Sequence, residues 1–392
     1  MAKRKNKRRY RKKKILFGLE VAVLLILLVA LFGYSKLNEK MGLLHLDNSD
    51  TDNIEVNDEV FKNKYLKGYT NIALFGVDSR DGSLETGNSD TAIIASINND
   101  TKEVKLVSIY RDTYLNINGE KYSKCNAAYS QGGPSESISM INTNLDLNIT
   151  NYVAVDFKAL STVIDCLGGL DVDLAYDEIV HINNYCVETS EVTGMSYKDL
   201  PLPEEVPENR EAIIGTYHLN GVQATSYCRI RYTTGWDMKR TERQRYIISL
   251  IVEEAKSSSL GTLNKIVDEV FPLVKTNFSK SDLIKLGTGI FSYKLGETSG
   301  FPTANIMGED VVNAIGLDCV VPITLEVNVR ALHDFLFGEG DYNVSETVME
   351  RSRYIADHTG FGSAYVPDEY KHWDSSSDTS EEYGDEVSYD EY

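Results

Sequence analysis

Twenty consecutive residues, Ile15–Tyr34, are almost all apolar, and the fourteen before them hold ten Lys or Arg and no acid. At about 1.5 Å rise per residue, a helix of that length crosses about 30 Å of hydrocarbon. Glu20, the one charge in the run, sits near its basic end, within reach of the interface. The basic flank sets the orientation: residues 1–14 in the cytoplasm, everything after residue 34 outside. A cleaved signal peptide would want a shorter apolar run and an A-x-A-like site, and Val29–Ser35 has none. The expectation is a single-pass protein of the cell membrane with an extracytoplasmic globular part.

The whole chain carries −19, so setting the ten cations aside leaves an exported part of −29. That balance argues against nucleic acid or anionic lipid as partner of the globular part. Against it, Tyr227–Tyr246 holds five arginines between Arg229 and Arg245. Arg229 and Arg231 alternate with Cys228, Ile230 and Tyr232, a period-two pattern that predicts a half-buried strand with both guanidinium groups on one face. Asp237 is expected to cap a following helix, with Arg240, Arg243 and Gln244 on one face of its first turns. Such a corner suits phosphate oxygens, which guanidinium forks grip bidentately beside free helix amides.

Residues 35–67 are polar and acidic with scattered leucines and read as a stalk, so the globular domain is expected over 68–340. Residues 341–366 form a C-terminal extension. The last segment, 367–392, has ten Asp or Glu and almost no aliphatic residue, a composition that cannot bury enough to fold alone. Five cysteines show no paired spacing; Cys166 and Cys228 lie in apolar patterns and read as small buried hydrophobes.

The first part of the domain reads as three strands. Asn71–Val77 is an apolar run ending at Asp78-Ser79-Arg80. A polar loop leads to Asp90 and the run Thr91–Ile97; after the turn-like Asn98-Asn99-Asp100, Val104–Ile109 ends at Tyr110-Arg111-Asp112. If the three make an antiparallel meander, Asp78, Asp90, Arg111 and Asp112 converge at one sheet edge. Paired carboxylates beside a phosphate site suit Mg²⁺, which takes a few carboxylates and fills its shell with phosphate oxygens and water. Asx-turns in loops would account for the same two aspartates.

G-V-D-S-R, S-D-T, S-I-Y-R-D-T, K-C-N-A-A-Y and R-I-R…D-M-K-R-T-E-R-Q, in this order, resemble the LytR-CpsA-Psr (LCP) family of cell-envelope phosphotransferases over roughly residues 68–340. Asp165–Val172 and the segment Leu219–Ala224, where Asn220 can cap a helix with Gln223 in a capping-box variant, resemble further family segments. The resemblance implies an α/β (α+β) domain with a central mixed sheet flanked by helices. It implies transfer of a glycopolymer, with one phosphate, from a polyprenyl-pyrophosphate carrier to peptidoglycan, assisted by Mg²⁺ or Mn²⁺. Asp78 and Asp90 match metal-binding positions, Arg111 the central catalytic arginine. Lys124, Arg229, Arg231, Arg240 and Gln244 match head-group contacts, with Asn126 supporting. Two departures stand out: Asn88 where the family has Arg before Ser-Asp-Thr, a contact that Arg80 could replace, and Tyr110 where it has Pro. Asp112 is placed either to act as base or to orient Arg111.

A lipid substrate demands an apolar groove, and 136–145, 157–167 and 247–255 are helical segments that could line one or serve as ordinary core. No G-x-S-x-G or H-E-x-x-H occurs, and the six histidines are scattered singly, so triad and zinc chemistry are set aside. A non-catalytic binder of lipid-linked glycans would need the arginines but not the Asp78–Asp90–Arg111 set; a hydrolase would put water in the acceptor's place.

Overall fold

A computed structural model of the chain describes residues 45–46, 53–78, 84, 87–289 and 291–374. The expected membrane span, Arg80 and residues 375–392 lie outside them. Among the described residues no helix is long and apolar enough to cross a membrane.

In chain order the elements are β1 (His45–Leu46), β2 (Tyr69–Val77), β3 (Ser89–Asn98), β4 (Glu103–Ile109), β5 (Tyr114–Asn118), β6 (Lys121–Lys124), α1 (Ala127–Leu145), β7 (Asn151–Val155), α2 (Phe157–Leu167), β8 (Leu170–Ala175), α3 (Tyr176–Thr193), β9 (Ile213–Leu219), α4 (Gly221–Tyr227) and α5 (Trp236–Ser257). There follow α6 (Leu260–Val270), β10 (Lys275–Thr276), α7 (Lys280–Thr288), β11 (Lys294–Phe301), β12 (Asn305–Ile306), α8 (Glu309–Ile315), β13 (Val321–Pro322), α9 (Leu325–Phe337) and α10 (Glu346–Thr359).

A seven-stranded mixed sheet in the order β1-β10-β7-β2-β3-β4-β11 is the centre of the fold. β2, β3 and β4 form the expected antiparallel meander, while β7 and β11 add in parallel on β2 and β4. Both faces are covered, which is why these strands read as continuous apolar runs. On one face Phe75, Ile94, Val107 and Ile109 pack with Ile138, Ile141, Leu332 and Val348 of α1, α9 and α10. On the other, Ile72, Ile93 and Leu106 pack with Phe278 and with Ile248 of α5. A satellite core of Ile164, Val172, Ile179, Val222 and Ile230 gathers α2, α3 and α4 around the β8–β9 ribbon.

The domain edges drawn from sequence move outward. Val60 and Leu66, in short 3-10 turns of the expected stalk, are 2% and 1% exposed and belong to the main core. Past residue 340, α10 buries Val348 and Ile355 completely. Asp368–Trp373, assigned from composition to an unfolded tail, is a 3-10 helix whose Trp373 carbonyl accepts from Arg330 Nη1 at 3.2 Å. All five cysteines are free and buried.

Candidate active site

The sheet edge expected to collect charged residues does so with the help of a bulge. Gly76 pairs with Thr91 and Val77 with Ser89, leaving Asp90 as the extra residue of β3. A bulge re-aims side chains, and Asp90 and Thr91, consecutive in sequence, both line the same cavity. Plain alternation would have sent one of them to the opposite face. Gly76 is required opposite them, because a Cβ there would lie 2.9 Å from the Thr91 Cβ.

Arg111, at the end of β4, donates from Nε to Asp90 Oδ1 at 2.7 Å and from Nη1 to Asp112 Oδ1 at 3.1 Å. Burial alone would lower its pKa, but Asp90 outweighs that together with Asp112, and the net shift is upward. Asp112 is engaged on both oxygens, since Oδ2 accepts from Lys124 Nζ at 3.0 Å. The Asn126 amide donates to the Arg111 carbonyl at 3.3 Å. Lys124, Asn126 and Asp112 therefore sit behind Arg111; Arg111 itself, Asp78 and Asp90 line the cavity.

The basic corner also forms, by a different route from the one its alternation suggested. Residues 227–232 are not a strand. Asn220 Oδ1 accepts from the Gln223 amide and Gln223 Oε1 from the Asn220 amide, so the capping box starts α4, which runs to Tyr227. Turn bonds from the Arg229 amide to Ser226 O (3.0 Å) and the Ile230 amide to Tyr227 O (3.3 Å) then bury Cys228 and Ile230. Nor does Asp237 cap α5: Gly235, at φ 92°, holds that position. Asp237 instead pairs with Arg231 Nε at 3.4 Å and Arg240 Nη2 at 3.5 Å.

Arg229, Arg231, Arg240 and Gln244 all line the cavity. Arg229 donates to Glu188 Oε2 (2.7 Å) and Thr189 Oγ1 (2.9 Å) and lies over the Phe157 ring, 4.7 Å from its centroid. Arg231 Nη2 approaches Asp90 Oδ2 at 3.6 Å. Arg240 is 3% exposed; among the described residues it makes a long contact to Asp237 and a 3.4 Å bond to the Asp90 carbonyl, and its Nε finds no acceptor. Burial pushes its pKa down, with Asp237 opposing. Gln244 Oε1 is likewise buried and unpartnered. Buried polar groups are rarely left so.

Arg243 and Arg245 play no part in the cavity. Arg243 is buried against Glu178 (2.9 Å), the Ile230 carbonyl and Thr233; Arg245 reaches Thr298 and Thr241. Phe157 lies in one of the helical segments expected to line a groove, but nothing in the residues pointed to Glu188 or Tyr185, which line the cavity from α3; their partner Arg229 is some forty residues away in the chain.

The cavity encloses about 570 Å³ between the sheet and α2–α5. Its floor is the in-register row Leu74, Ile93 and Val153, four residues before Asp78 on β2, or about 13 Å at 3.3 Å per residue. Its roof repeats the order: Arg240 and Gln244, then Ile247 and Ile248, fall on one face of α5, about 12 Å from first to last at 1.5 Å per residue. Leu160 of α2 completes the apolar end. Of the three helical segments considered for a groove, 157–167 and 247–255 supply lining residues. Segment 136–145 does not: its Ile138 and Ile141 face the core on the other side of the sheet.

The sequence profile of the LytR_cpsA_psr family matches residues 31–315. The chain belongs to that family. Its relatives include the polyisoprenyl-teichoic acid–peptidoglycan teichoic acid transferase TagU of Enterococcus faecalis, 33% identical over 55% of this chain and 63% of the relative's length. The TagU of Oceanobacillus iheyensis is 30% identical over 75% of this chain and 86% of its own. The fold is shared with a solved protein of Streptococcus agalactiae at TM-score 0.55, with 22% identity over 74% of this chain and 92% of that one. As a LytR_cpsA_psr protein the chain keeps its Tyr110 by local adjustment. The Tyr110 amide donates to the Phe301 carbonyl at 2.9 Å, a bond proline cannot make, and its ring lies against Gly300, where any Cβ would collide with it. Asn88 accepts the Asp78 amide on its backbone carbonyl at 3.2 Å.

Proposed function

We propose that this protein is a membrane-anchored extracytoplasmic phosphotransferase. It takes a glycopolymer carried on a polyprenyl pyrophosphate and transfers it, with one phosphate, to peptidoglycan. The observation that carries this reading is the polar-to-apolar order of the cavity, repeated over about 12 Å on both floor and roof. A ligand that satisfies it is an amphiphile with an anionic head and a hydrocarbon tail. The buried Arg240, whose Nε finds no acceptor among the described residues, is the donor that an anionic head would satisfy.

In this reading Arg229, Arg231 and Arg240 clamp the pyrophosphate oxygens, each charge-assisted bond contributing about 1.5–3 kcal/mol. Leu74, Ile93, Val153, Leu160, Ile247 and Ile248 hold the polyprenyl chain and exclude water. The acceptor hydroxyl forms a bond to the glycan-side phosphorus while the bond from that phosphorus to the bridging oxygen breaks; polyprenyl phosphate leaves, and the hydroxyl proton passes to solvent. Arg111 stabilises charge on the transferred phosphorus, and Asp90 and Asp112 hold its guanidinium in place. With both oxygens engaged by cations, Asp112 is better suited to orientation than to accepting the hydroxyl proton.

Among the described residues no group of three or more His, Cys, Asp and Glu gathers as a closed metal site. Asp78 and Asp90 are two hard oxygen donors lining the cavity. Asp90 Oδ1 already holds Arg111 Nε at 2.7 Å, so the Asp78 carboxylate and Asp90 Oδ2, which Arg231 Nη2 approaches to 3.6 Å, are the donors that would hold Mg²⁺ or Mn²⁺, with phosphate and water completing its shell. Held there, the ion would neutralise pyrophosphate charge and favour departure of the lipid phosphate.

The test is reconstitution. Full-length protein in detergent, Mg²⁺, a polyprenyl-pyrophosphate glycan and peptidoglycan are incubated together. Covalently linked product is expected; its absence, or an Arg111→Ala variant as active as wild type, would sink the assignment.

A further inference from the structure

Two large aromatic side chains stand in solvent at the polar end of the cavity, where burial alone would not put them. Tyr232 follows the clamp residue Arg231 and lines the cavity, yet is 64% exposed. Trp236 is 62% exposed, with its ring edge-on to Tyr232 at 6.0 Å and 72°. His181 lies on the other side of Tyr232 at 6.3 Å. Trp236 is also held at φ 43°, a left-handed backbone that a bulky residue adopts only when its surroundings impose it.

The loop carrying the pair is braced from beneath. Buried Arg243 donates to the Ile230 carbonyl at 3.2 Å and to Thr233 Oγ1 at 2.8 Å. Glu211 Oε1 accepts from the Thr234 amide at 3.0 Å and its hydroxyl at 2.9 Å. The Trp236 amide donates to the Thr233 carbonyl at 3.1 Å. Exposed aromatics on a rigid support are the arrangement of a preorganised binding surface rather than of a loose loop.

We infer that Tyr232 and Trp236 form a stacking platform for the first sugar of the substrate, the residue bonded to the pyrophosphate. This rests on the head-group reading above. With the phosphates between Arg229, Arg231 and Arg240 and the lipid along Ile247 and Ile248, the glycan must leave by the polar end, past Tyr232. Pyranose C–H faces pack on aromatic rings as other apolar surfaces do, with the Tyr hydroxyl and indole N–H available to sugar hydroxyls. The alternative occupant, an anionic membrane surface, fits poorly: Glu211, Asp237 and Glu188 ring the platform and the clamp, and the exported chain is strongly acidic.

The chain has two tryptophans, Trp236 and Trp373, so a Trp373→Phe background makes Trp236 the sole indole reporter. Full-length protein is titrated in detergent with farnesyl pyrophosphate and with the same lipid bearing one N-acetylglucosamine on the pyrophosphate. The sugar should tighten binding about tenfold, about 1.4 kcal/mol, and shift Trp236 emission to the blue, whereas the sugar-free lipid should not shift it. Calorimetry on Tyr232→Ala and Trp236→Ala should show that advantage fall below about twofold with farnesyl pyrophosphate affinity unchanged, and Trp236→Phe should restore most of it. If farnesyl pyrophosphate binds but the sugar adds nothing in wild type, or if the alanine variants keep its advantage, the platform is overturned alone. If neither lipid binds wild type, the head-group reading falls and the platform with it. A Trp236 shift on anionic vesicles without substrate, and none with the sugar-bearing lipid, would assign the pair to the membrane instead.

Discussion

Replacing Arg240 with methionine should make the free protein more stable and the site useless. Arg240 is 3% exposed, its Nε has no acceptor among the described residues, and its Nη2 contacts at 3.4 and 3.5 Å are long. A buried donor left unmade costs about 1–3 kcal/mol, and weak charge pairs return little of the desolvation of a guanidinium. Methionine fills similar space with no polar demand. The acids it abandons are not stranded, because Asp90 keeps Arg111 at 2.7 Å and Asp237 keeps Arg231 at 3.4 Å. A net gain of about 1 kcal/mol follows, a rise of about 2 °C in Tm for a domain of this size. The ligand side moves the other way: losing one or two charge-assisted bonds to phosphate at about 1.5–3 kcal/mol each weakens binding about 10-fold or more. The assay pairs thermal unfolding without ligand against calorimetric titration with farnesyl pyrophosphate. A variant whose Tm falls by several degrees, or which binds as tightly as wild type, would refute the view that Arg240 is held strained for an anion.

Other perturbations separate structural from chemical roles. Asp112→Asn should lower turnover about 10- to 100-fold while leaving the shape of the pH–rate profile intact; loss of its acidic limb would make Asp112 the base. Ending the chain at Gly340 removes, among the described residues, six buried core side chains, Tyr342, Val344, Val348, Ile355, Phe361 and Val366. At about 1.5–3 kcal/mol each this approaches a whole domain's stability, so the fragment should be insoluble or molten by circular dichroism. Burial pushes the thiols of Cys125, Cys228 and Cys319 up to about 12 and that of Cys166 up to about 11; Ellman's reagent at pH 8 should label none of them rapidly before unfolding. The hydrogen bond that His218 donates to Asp171 raises the His218 pKa above its ordinary 6.5, with the Gly168 carbonyl adding to it. A raised pKa means that its stabilisation of the β8–β9 ribbon is complete below pH 6.5 and fades as pH rises through the folded value, so amide protection factors, corrected for the intrinsic rise of exchange with pH, should fall there in wild type but not in His218→Gln.

What could be read from the residues, and what could not, follows the range of the interactions involved. The meander was legible because its strands are buried on both faces and the Asn98-Asn99-Asp100 turn is short, and the capping box at Asn220 because it spans four residues. The bulge that turns Asp90 beside Thr91 leaves no mark in the alternation of apolar residues. At 228–232 the alternation itself misled: Cys228 and Ile230 are buried, as a strand would bury them, but by turn bonds after a short helix and with no strand beside them. The resemblance leaves Arg243 outside the clamp, but no local pattern points to Glu178, sixty-five residues earlier, which holds it in the satellite core. The 3-10 turns around Val60 and the packing of Trp373 lack any period from which a domain edge could be drawn.

The most direct test of the central claim is the fate of the phosphorus. With a polyprenyl-pyrophosphate glycan labelled at both phosphates and Mg²⁺ present, one phosphorus should be retained per glycan linked to peptidoglycan and one polyprenyl phosphate released for each. Release of intact polyprenyl pyrophosphate, with a phosphorus-free glycan linkage, would contradict it.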